Sequence, residues 1–574
     1  MPLRSTVSTT GPSKTPTLNN VDWNSSRNQA TLKIRGRPLV VYPPKSINKD
    51  EIDHFYKHLA DTNKKGQRVK KQPPKGFPIP ENSEYHLDTA FGYRGNDARR
   101  NLYSLKSREI IYFVAGVVII QDPFVAGKQR IFNKHTDDIN CLAVHSDGVT
   151  IATGQICGLK ADDSRRPAHI LIWNSDTFEV IKKLGVGQIF KAPIALCFSY
   201  PDKNEDSNWI SCVDEHSDHT LRVWNWTCKE SDPKPRIEKP TTKDTVVGVE
   251  FFPFCNGDTR YMVAFGKQLT FYSLTVNGGK DENKRVIDVV SKKRNAIFEK
   301  TQKPKIIVSV CITKTGHLIT GGTDGLIISW GDNSHAIADA GKSPKPNFMF
   351  TAHKGAVFTM SNCLGSFQSH EECFYSGGKD GIVSVWNLSD VQKNLAPIHS
   401  VTLPSSARCI ASTFEEEGMV IGTTQNEIYT VFPNKSPSEL VIGHTGEIWA
   451  LAVTDKLVIS GSDDGRLVVR DSLTGLHKWN VKLTEAIKSV AVQPGTDNIF
   501  VGTDKGKIVG FSCESDELMT NDQANDELVC MEWNYDGSLL ACGSKDQSIY
   551  LFEYKNLDLV KGMGYHLVFR IIRI

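Results

Sequence analysis

Nowhere in the 574 residues do about 20 apolar residues follow one another, the length a helix needs to cross the hydrocarbon layer of a bilayer. The most apolar stretch considered, Ile110 to Ile120 in "REIIYFVAGVVIIQ", holds eleven residues and would cover about half that distance, so no membrane span is expected there. The 13 cysteines are scattered singly, without a Cys-x-x-Cys pair or a Cys and His group at zinc-ligand spacing, which argues against a disulfide scaffold or a zinc site and for reduced, buried thiols. The first residues, "MPLRSTVSTTGPSKTPTLNN", lack the apolar core of a secretory signal, so no export is indicated. Sustained heptads are missing from residues 1–75, which leaves no N-terminal coiled coil and makes a monomer the default. There is no Gly-x-x-x-x-Gly-Lys-Ser/Thr loop, no His-Glu-x-x-His and no Gly-x-Ser-x-Gly elbow, and with them go the common signals of nucleotide, zinc-protease and hydrolase chemistry. No catalytic residue, cofactor or metal is expected.

The net charge of +3 conceals an uneven distribution. Residues 1–75 carry 15 Lys and Arg against 5 Asp and Glu, so the remainder is net negative. Within this basic leader, "KKGQRVKKQPPKG" concentrates Lys64, Lys65, Arg68, Lys70 and Lys71, which can attract an acidic partner or serve as a solvated linker. It has neither interleaved aromatics nor a recognition fold, so nucleic acid is not its expected target. The leader reads as largely disordered, apart from a short helix in "DEIDHFYKHLADT".

In the apolar stretch Val and Ile dominate and Gly116 interrupts, which suits two short strands, Glu109 to Ala115 and Val117 to Asp122, joined by a turn. From about residue 130 one pattern recurs: a Gly, Ser or Thr cluster, often a turn Asp, then an alternating strand ending in an aromatic and a polar residue. "YSGGKDGIVSVWNLSD", Tyr375 to Asp390, is the clearest copy, and others end at Trp173, Trp224, Tyr272 and Trp330. Weaker copies end near Val431, Arg470, Phe511 and Phe552. A period of roughly 40 to 60 residues with turn chemistry in each copy marks a β-propeller, because a four-stranded sheet cannot bury both faces until blades stack into a ring. The apolar strand pair then becomes the centre of an atypical first blade.

In the blade counted fifth, His353, Ser376, Asp380 and Trp386 occupy the positions at which WD-repeat blades form a hydrogen-bonded tetrad. Ser, His and Asp also spell a hydrolase, but here the hydroxyl is expected to serve the indole. His444, Ser460 and Asp464 repeat the arrangement with Arg470 in place of Trp, which predicts a weaker blade.

"FGYRGNDARRNLYSLKSREIIYFVAGVVII" resembles the HELP motif of the echinoderm microtubule-associated protein-like family, matched at Tyr93, Arg94, Gly95, Asp97, Arg99, Asn101, Leu102 and Tyr103. Ala98 departs from it where members often carry Cys. "RGRPLVVYPP" resembles the segment before that motif, and the likeness extends from about residue 31 to about 557. The resemblance implies an all-β protein: a seven-bladed WD-repeat propeller over residues 76–435, followed by an incomplete second propeller over 436–557 and a divergent tail, 558–574. Three blades alone would leave open sheet edges, so the expectation is a truncated isoform or an end out of frame, with a single ten-bladed ring as the structural alternative. Functionally it implies a non-enzymatic protein of the cytoplasm and its microtubule cytoskeleton that binds tubulin or microtubules, with Lys64, Lys65, Arg68, Lys70 and Lys71 as electrostatic contacts. A generic protein-interaction scaffold is the alternative, since fold alone does not choose a partner. Arg99 and Arg100 are expected to pair carboxylates or cap backbone carbonyls at a blade junction.

Overall fold

Short Val, Ile and Leu segments separated by Gly and Asp turns pair most readily with their neighbours in sequence. A computed structural model shows that pattern. It describes residues 87–564 apart from 125–127, 160–164, 202–207, 257–258, 279–286, 299–301, 314–315, 331–342, 363–372, 392–395, 413–417, 433–434, 513, 515 and 556, and before them the backbone of 22–24, 29–34 and 37–41. Met1–His86 and Leu87–Ile574 are separate compact units.

In the first unit Asp22–Asn24, Gln29–Ile34 and Arg37–Val41 form a three-stranded antiparallel sheet. These strands fall within the leader read as largely disordered; the stretch from Ala30 to Val41 is dense enough in Leu, Ile and Val to pair, and most of the rest of the leader lies outside the described residues. The expected helix in 50–62 and the basic cluster from Lys64 to Lys71 lie outside the described residues.

The second unit contains ten four-stranded antiparallel sheets, and in each the spatial order of strands follows the chain. The first sheet is Tyr103–Ser104, Ile110–Val114, Val117–Gln121 and Gln129–Phe132. Its two central strands are the apolar stretch, paired Ile110 to Gln121 through Val114 to Val117 and buried along nearly their whole length. The turn between them is carried by Ala115 at φ 47°, while Gly116 makes a close approach: a Cβ there would lie a tight 3.1 Å from the Asp137 carbonyl oxygen.

The later sheets open with Ile139–Val144, Pro193–Phe198, Val246–Asn256, Ile307–Ile312, Val357–Asn362, Ala407–Ser412, Ile448–Val453, Ile487–Val492 and Leu528–Trp533. In all nine the register slips at the second residue of this opening strand, a β-bulge that leaves one residue unpaired, such as Val308, Phe358 or Arg408. The residues that mark the repeats lie on the third strand of each later sheet, at or next to its end except for Tyr272 in Leu269–Gly278, and a fourth strand follows. The repeat read from sequence is therefore offset by one strand. Ser438–Ile442, beyond residue 435, completes the seventh sheet, and Asp558–Gly564, inside the segment read as a divergent tail, completes the tenth. Trp386 belongs to the sixth sheet, not the fifth, once the first sheet is counted.

Apolar clusters bridge successive sheets. Phe113 and Trp173 share one between the first and second sheets, Ile210 and Leu184 one between the second and third, and the series continues to Tyr375 and Ile421 between the sixth and seventh. Tyr93, Tyr112 and Ile119 then meet Cys409, Val420 and Ile428, so the seventh sheet packs on the first. Tyr103, Val144, Phe198, Glu250, Cys311, Met360 and Ile410, one from each of these seven sheets, line a shared cavity of about 340 Å3. Two further clusters join the eighth, ninth and tenth sheets, and among the described residues none joins the tenth back to the eighth.

Candidate functional site

The segment before the first sheet runs along the seam between the first and seventh sheets. Gly95 and Asn96 donate backbone N–H bonds of 2.9 and 2.8 Å to Asn426 Oδ1, on a seventh-sheet turn where Asn426 itself has φ 60°. Only glycine fits at 95, because a Cβ would stand 2.1 Å from the Thr423 carbonyl oxygen. Arg94 grips Asp97 through two hydrogen bonds of 2.8 and 2.7 Å and donates another of 2.9 Å to the Ile139 carbonyl, reaching the second sheet. The Arg94 hydrogen bond holds the Asp97 carboxyl below its usual range. Asn101, fully buried, donates to the carbonyls of Arg94 and Phe113 and accepts the Phe113 N–H at 2.8 Å, so one side chain ties the segment to the apolar strand pair. Tyr93 stacks edge-on against Tyr112 at 5.8 Å, Leu102 is buried, and the Tyr103 hydroxyl donates to the Leu142 carbonyl at 3.2 Å.

Three arginines collect at one end of the cavity. Arg100, at φ 51°, pairs with Glu250 of the fourth sheet and donates to the Val310 carbonyl of the fifth at 3.2 Å. Burial opposes its charge, and Glu250 offsets that and keeps the guanidinium protonated. Arg408, the bulged residue of the seventh sheet, donates from Nε to the Ala98 carbonyl at 3.0 Å and lies over the Phe358 ring at 5.1 Å. Arg99 differs. Its Nη1 is buried without a hydrogen-bond partner, and burial, then the neighbouring Arg408, push its pKa down to about 10. Of the two carboxylate-or-carbonyl roles expected for this pair, Arg100 fills both and Arg99 Nη1 neither.

In the sixth sheet the Trp386 indole N–H donates to Ser376 Oγ at 2.8 Å, His353 Nε2 lies 2.7 Å from the same hydroxyl, and His353 Nδ1 lies 3.1 Å from Asp380. A carboxylate only accepts, so Nδ1 carries the proton, Nε2 accepts from the serine, and the hydroxyl in turn accepts from tryptophan. Both sides of the hydroxyl are thereby engaged inside a blade. Burial lowers the His353 pKa despite Asp380.

Sequence reasoning passed over the second sheet's variant of this chain. There Trp173 donates to Thr153 Oγ1 at 3.1 Å, His135 Nε2 sits 2.7 Å from that hydroxyl, and Gln155 replaces the carboxylate at 3.1 Å from Nδ1. The signal was available in "HTDDIN" followed by "TIATGQ". It also missed the buried Arg222, which bonds Asp214 at 3.0 Å and Glu238 at 2.8 Å.

In the eighth sheet His444 approaches Ser460 at 2.9 Å and Asp464 at 3.5 Å, while Arg470, standing where tryptophan would, donates to the Ile442 carbonyl and lies 4.7 Å from the Phe91 ring centre. Arg466 adds an ion pair of 2.9 Å with Glu427 of the seventh sheet. Polar groups therefore connect the seventh and eighth sheets. Among the described residues no group of three His, Cys, Asp or Glu is placed to hold a metal ion.

Comparison with known proteins places this architecture. Residues 128–431 match the family described as the echinoderm microtubule-associated protein first beta-propeller, and residues 82–119 match the HELP motif. WD-domain G-beta repeats match 435–471 and 517–553, each beginning with the fourth strand of the preceding sheet. The 77 kDa echinoderm microtubule-associated protein of Strongylocentrotus purpuratus is 30% identical over 533 residues, covering 92% of this chain and 68% of that protein. Echinoderm microtubule-associated protein-like 2 of Mus musculus is 31% identical, covering 93% of this chain and 73% of its own. Echinoderm microtubule-associated protein-like 1 of the same species is 30% identical over 90% of this chain, which spans only 57% of that relative. The strand-paired HELP segment, the repeated four-stranded sheets and this coverage together place the chain in the echinoderm microtubule-associated protein family.

Proposed function

We propose that this protein is a microtubule-associated protein of the cytoplasm and cytoskeleton, binding tubulin or the microtubule lattice without catalysing a reaction. One observation carries the reading: the likeness to proteins named for microtubule association extends over nine-tenths of the chain and includes the HELP segment, which generic WD-repeat scaffolds lack. In this reading the seven sheets of residues 87–442 act as one closed propeller and 443–564 contribute three blades of a second. Rigid sheets hold their connecting loops in fixed positions, and the basic cluster of Lys64, Lys65, Arg68, Lys70 and Lys71 is drawn to the acidic tubulin surface.

Attraction of that kind weakens with salt, across a Debye length of about 8 Å at physiological ionic strength. Co-sedimentation of the full chain with assembled microtubules, beside unassembled tubulin, tests it. Binding should fall as salt rises and fall again when the five basic residues are neutralised. Binding unaffected by both changes would remove the leader from the mechanism. No sedimentation with either form of tubulin would defeat the reading.

A further inference from the structure

We propose that the recess formed by Arg99, Arg408, Val247, Val308 and Phe358 is a docking site for an acidic side chain of a partner polypeptide, one flanked by apolar residues. These side chains line a pocket of about 20 Å3 at the end of the cavity where the opening strands begin. The bulge places four of them there: Val247, Val308, Phe358 and Arg408 are the unpaired second residues of four successive sheets. The HELP segment supplies the fifth.

Two guanidiniums face this recess without an acid. Among the described residues neither Arg99 nor Arg408 forms an ion pair, while the carboxylates at this end, Asp97 and Glu250, are held by Arg94 and Arg100. Arg99 lines the recess, and its Nη1 has no hydrogen-bond partner among the described residues, an arrangement that a protein normally relieves with a partner. The like charge of Arg408 beside it makes an incoming anion more favourable still. A water-sized group needs about 10 to 15 Å3, so the recess takes a single small polar tip, such as one oxygen of a carboxylate. Arg100, clamped to Glu250, lines both the recess and the larger cavity. The apolar rim of Val247, Val308 and Phe358 suits the hydrocarbon neighbours of that carboxylate in a peptide, where a free small anion would leave it uncovered.

The site is independent of the basic leader, and its test contains no tubulin. Fluorescence anisotropy of the full chain with a labelled Gly-Leu-Glu-Leu-Gly peptide should show at least tenfold tighter binding than with the same peptide carrying Gln. Arg99→Gln and Arg408→Gln should each weaken the Glu peptide about tenfold, and Arg99→Lys should recover part of the loss. Arg408 bonds Ala98 and its loss could unfold the seam, so Arg99→Gln, checked by an unchanged unfolding midpoint, is the deciding variant. Equal affinity for the Glu and Gln peptides, or for the wild type and Arg99→Gln, would overturn the proposal. So would displacement of the peptide by equimolar inorganic phosphate or acetate, which would mean the peptide's apolar residues contribute nothing.

Discussion

The sixth and eighth sheets are built from closely similar residues and meet different surroundings. Both carry a Ser-Gly pair on the second strand, a turn Asp, a histidine in the preceding loop and an alternating third strand. The second strand of the sixth sheet, Cys373–Gly378, and the opening strand of the seventh, Ala407–Ser412, are buried at every residue, because a neighbour covers each face. In the eighth, the opening strand Ile448–Val453 is mostly exposed, with Leu451 at 67% and Val453 at 64%, and in the tenth all three leading strands are buried only at alternate positions or less. An apolar residue on a strand states that a face needs covering. It does not state that a cover is present, and four exposed apolar side chains on one strand form the kind of patch that promotes association.

The largest expected consequence is a difference in opening. Residues 443–564 should be cut by protease at least tenfold faster than 87–442 under native conditions, since they lack a closing cluster; equal rates would erase the contrast. Next in size is the tetrad. Trp386→Ala should cost roughly 3 to 5 kcal/mol in urea unfolding through cavity and lost hydrogen bond, whereas Arg470→Ala, which loses one carbonyl bond and the contact with Phe91, should cost about 1 to 3. Equal costs would mean that arginine serves the eighth sheet as tryptophan serves the sixth.

Acid should narrow the contrast from the other side. Burial holds His135 down to about 4, against an ordinary value near 6.5, so the unfolded chain takes a proton that the folded second sheet declines. Its contribution is intact above about pH 7 and is lost as pH falls from 6.5 toward 4, by roughly 3 kcal/mol at most. In the eighth sheet, burial opposes the charge of Asp464, but the hydrogen bond from His444 and those from backbone amides hold its carboxyl below the usual range, so its contribution survives to lower pH. Urea titrations at pH 7 and pH 5 should show the drop in the first seven sheets, and His135→Gln should flatten it. The smallest effect is expected at Leu451: Leu451→Ala should change stability by less than about 0.5 kcal/mol, while Ile410→Ala at the equivalent fourth position of its opening strand, in a site 4% exposed, should cost about 2 to 5. A costly Leu451→Ala would show that something covers the eighth sheet in solution.

Much of the fold was legible because it depends on local residue type. The Val and Ile of 110–120 with a small-residue turn specify a strand pair, and Gly and Asp turns before alternating strands specify repeated hairpins. The offset between repeat and sheet was hidden, because fourth strands such as Ser438–Ile442 are short, half-exposed and poor in pattern. The bulges were hidden too, since Val247, Val308, Phe358 and Arg408 share a backbone position and no chemistry. In the candidate site, residue types alone suggest the chain from Trp386 through Ser376 and His353 to Asp380, whose atoms lie within bonding distance. That Arg100 finds Glu250 while Arg99 Nη1 finds nothing is a matter of backbone direction at one left-handed residue, and adjacent arginines look alike in a sequence.

Each four-stranded sheet takes its strands from one continuous stretch of chain, so among the described residues no ladder crosses the seam between the first and seventh. Side-chain bonds such as Ser104 to Ser412 and Arg408 to Ala98 hold it, with the Tyr93 cluster beneath. A tensile load drawn between residues 87 and 442 would meet that joint first. It would part like a clasp, lengthening the molecule in one early step while all ten ladders stayed whole.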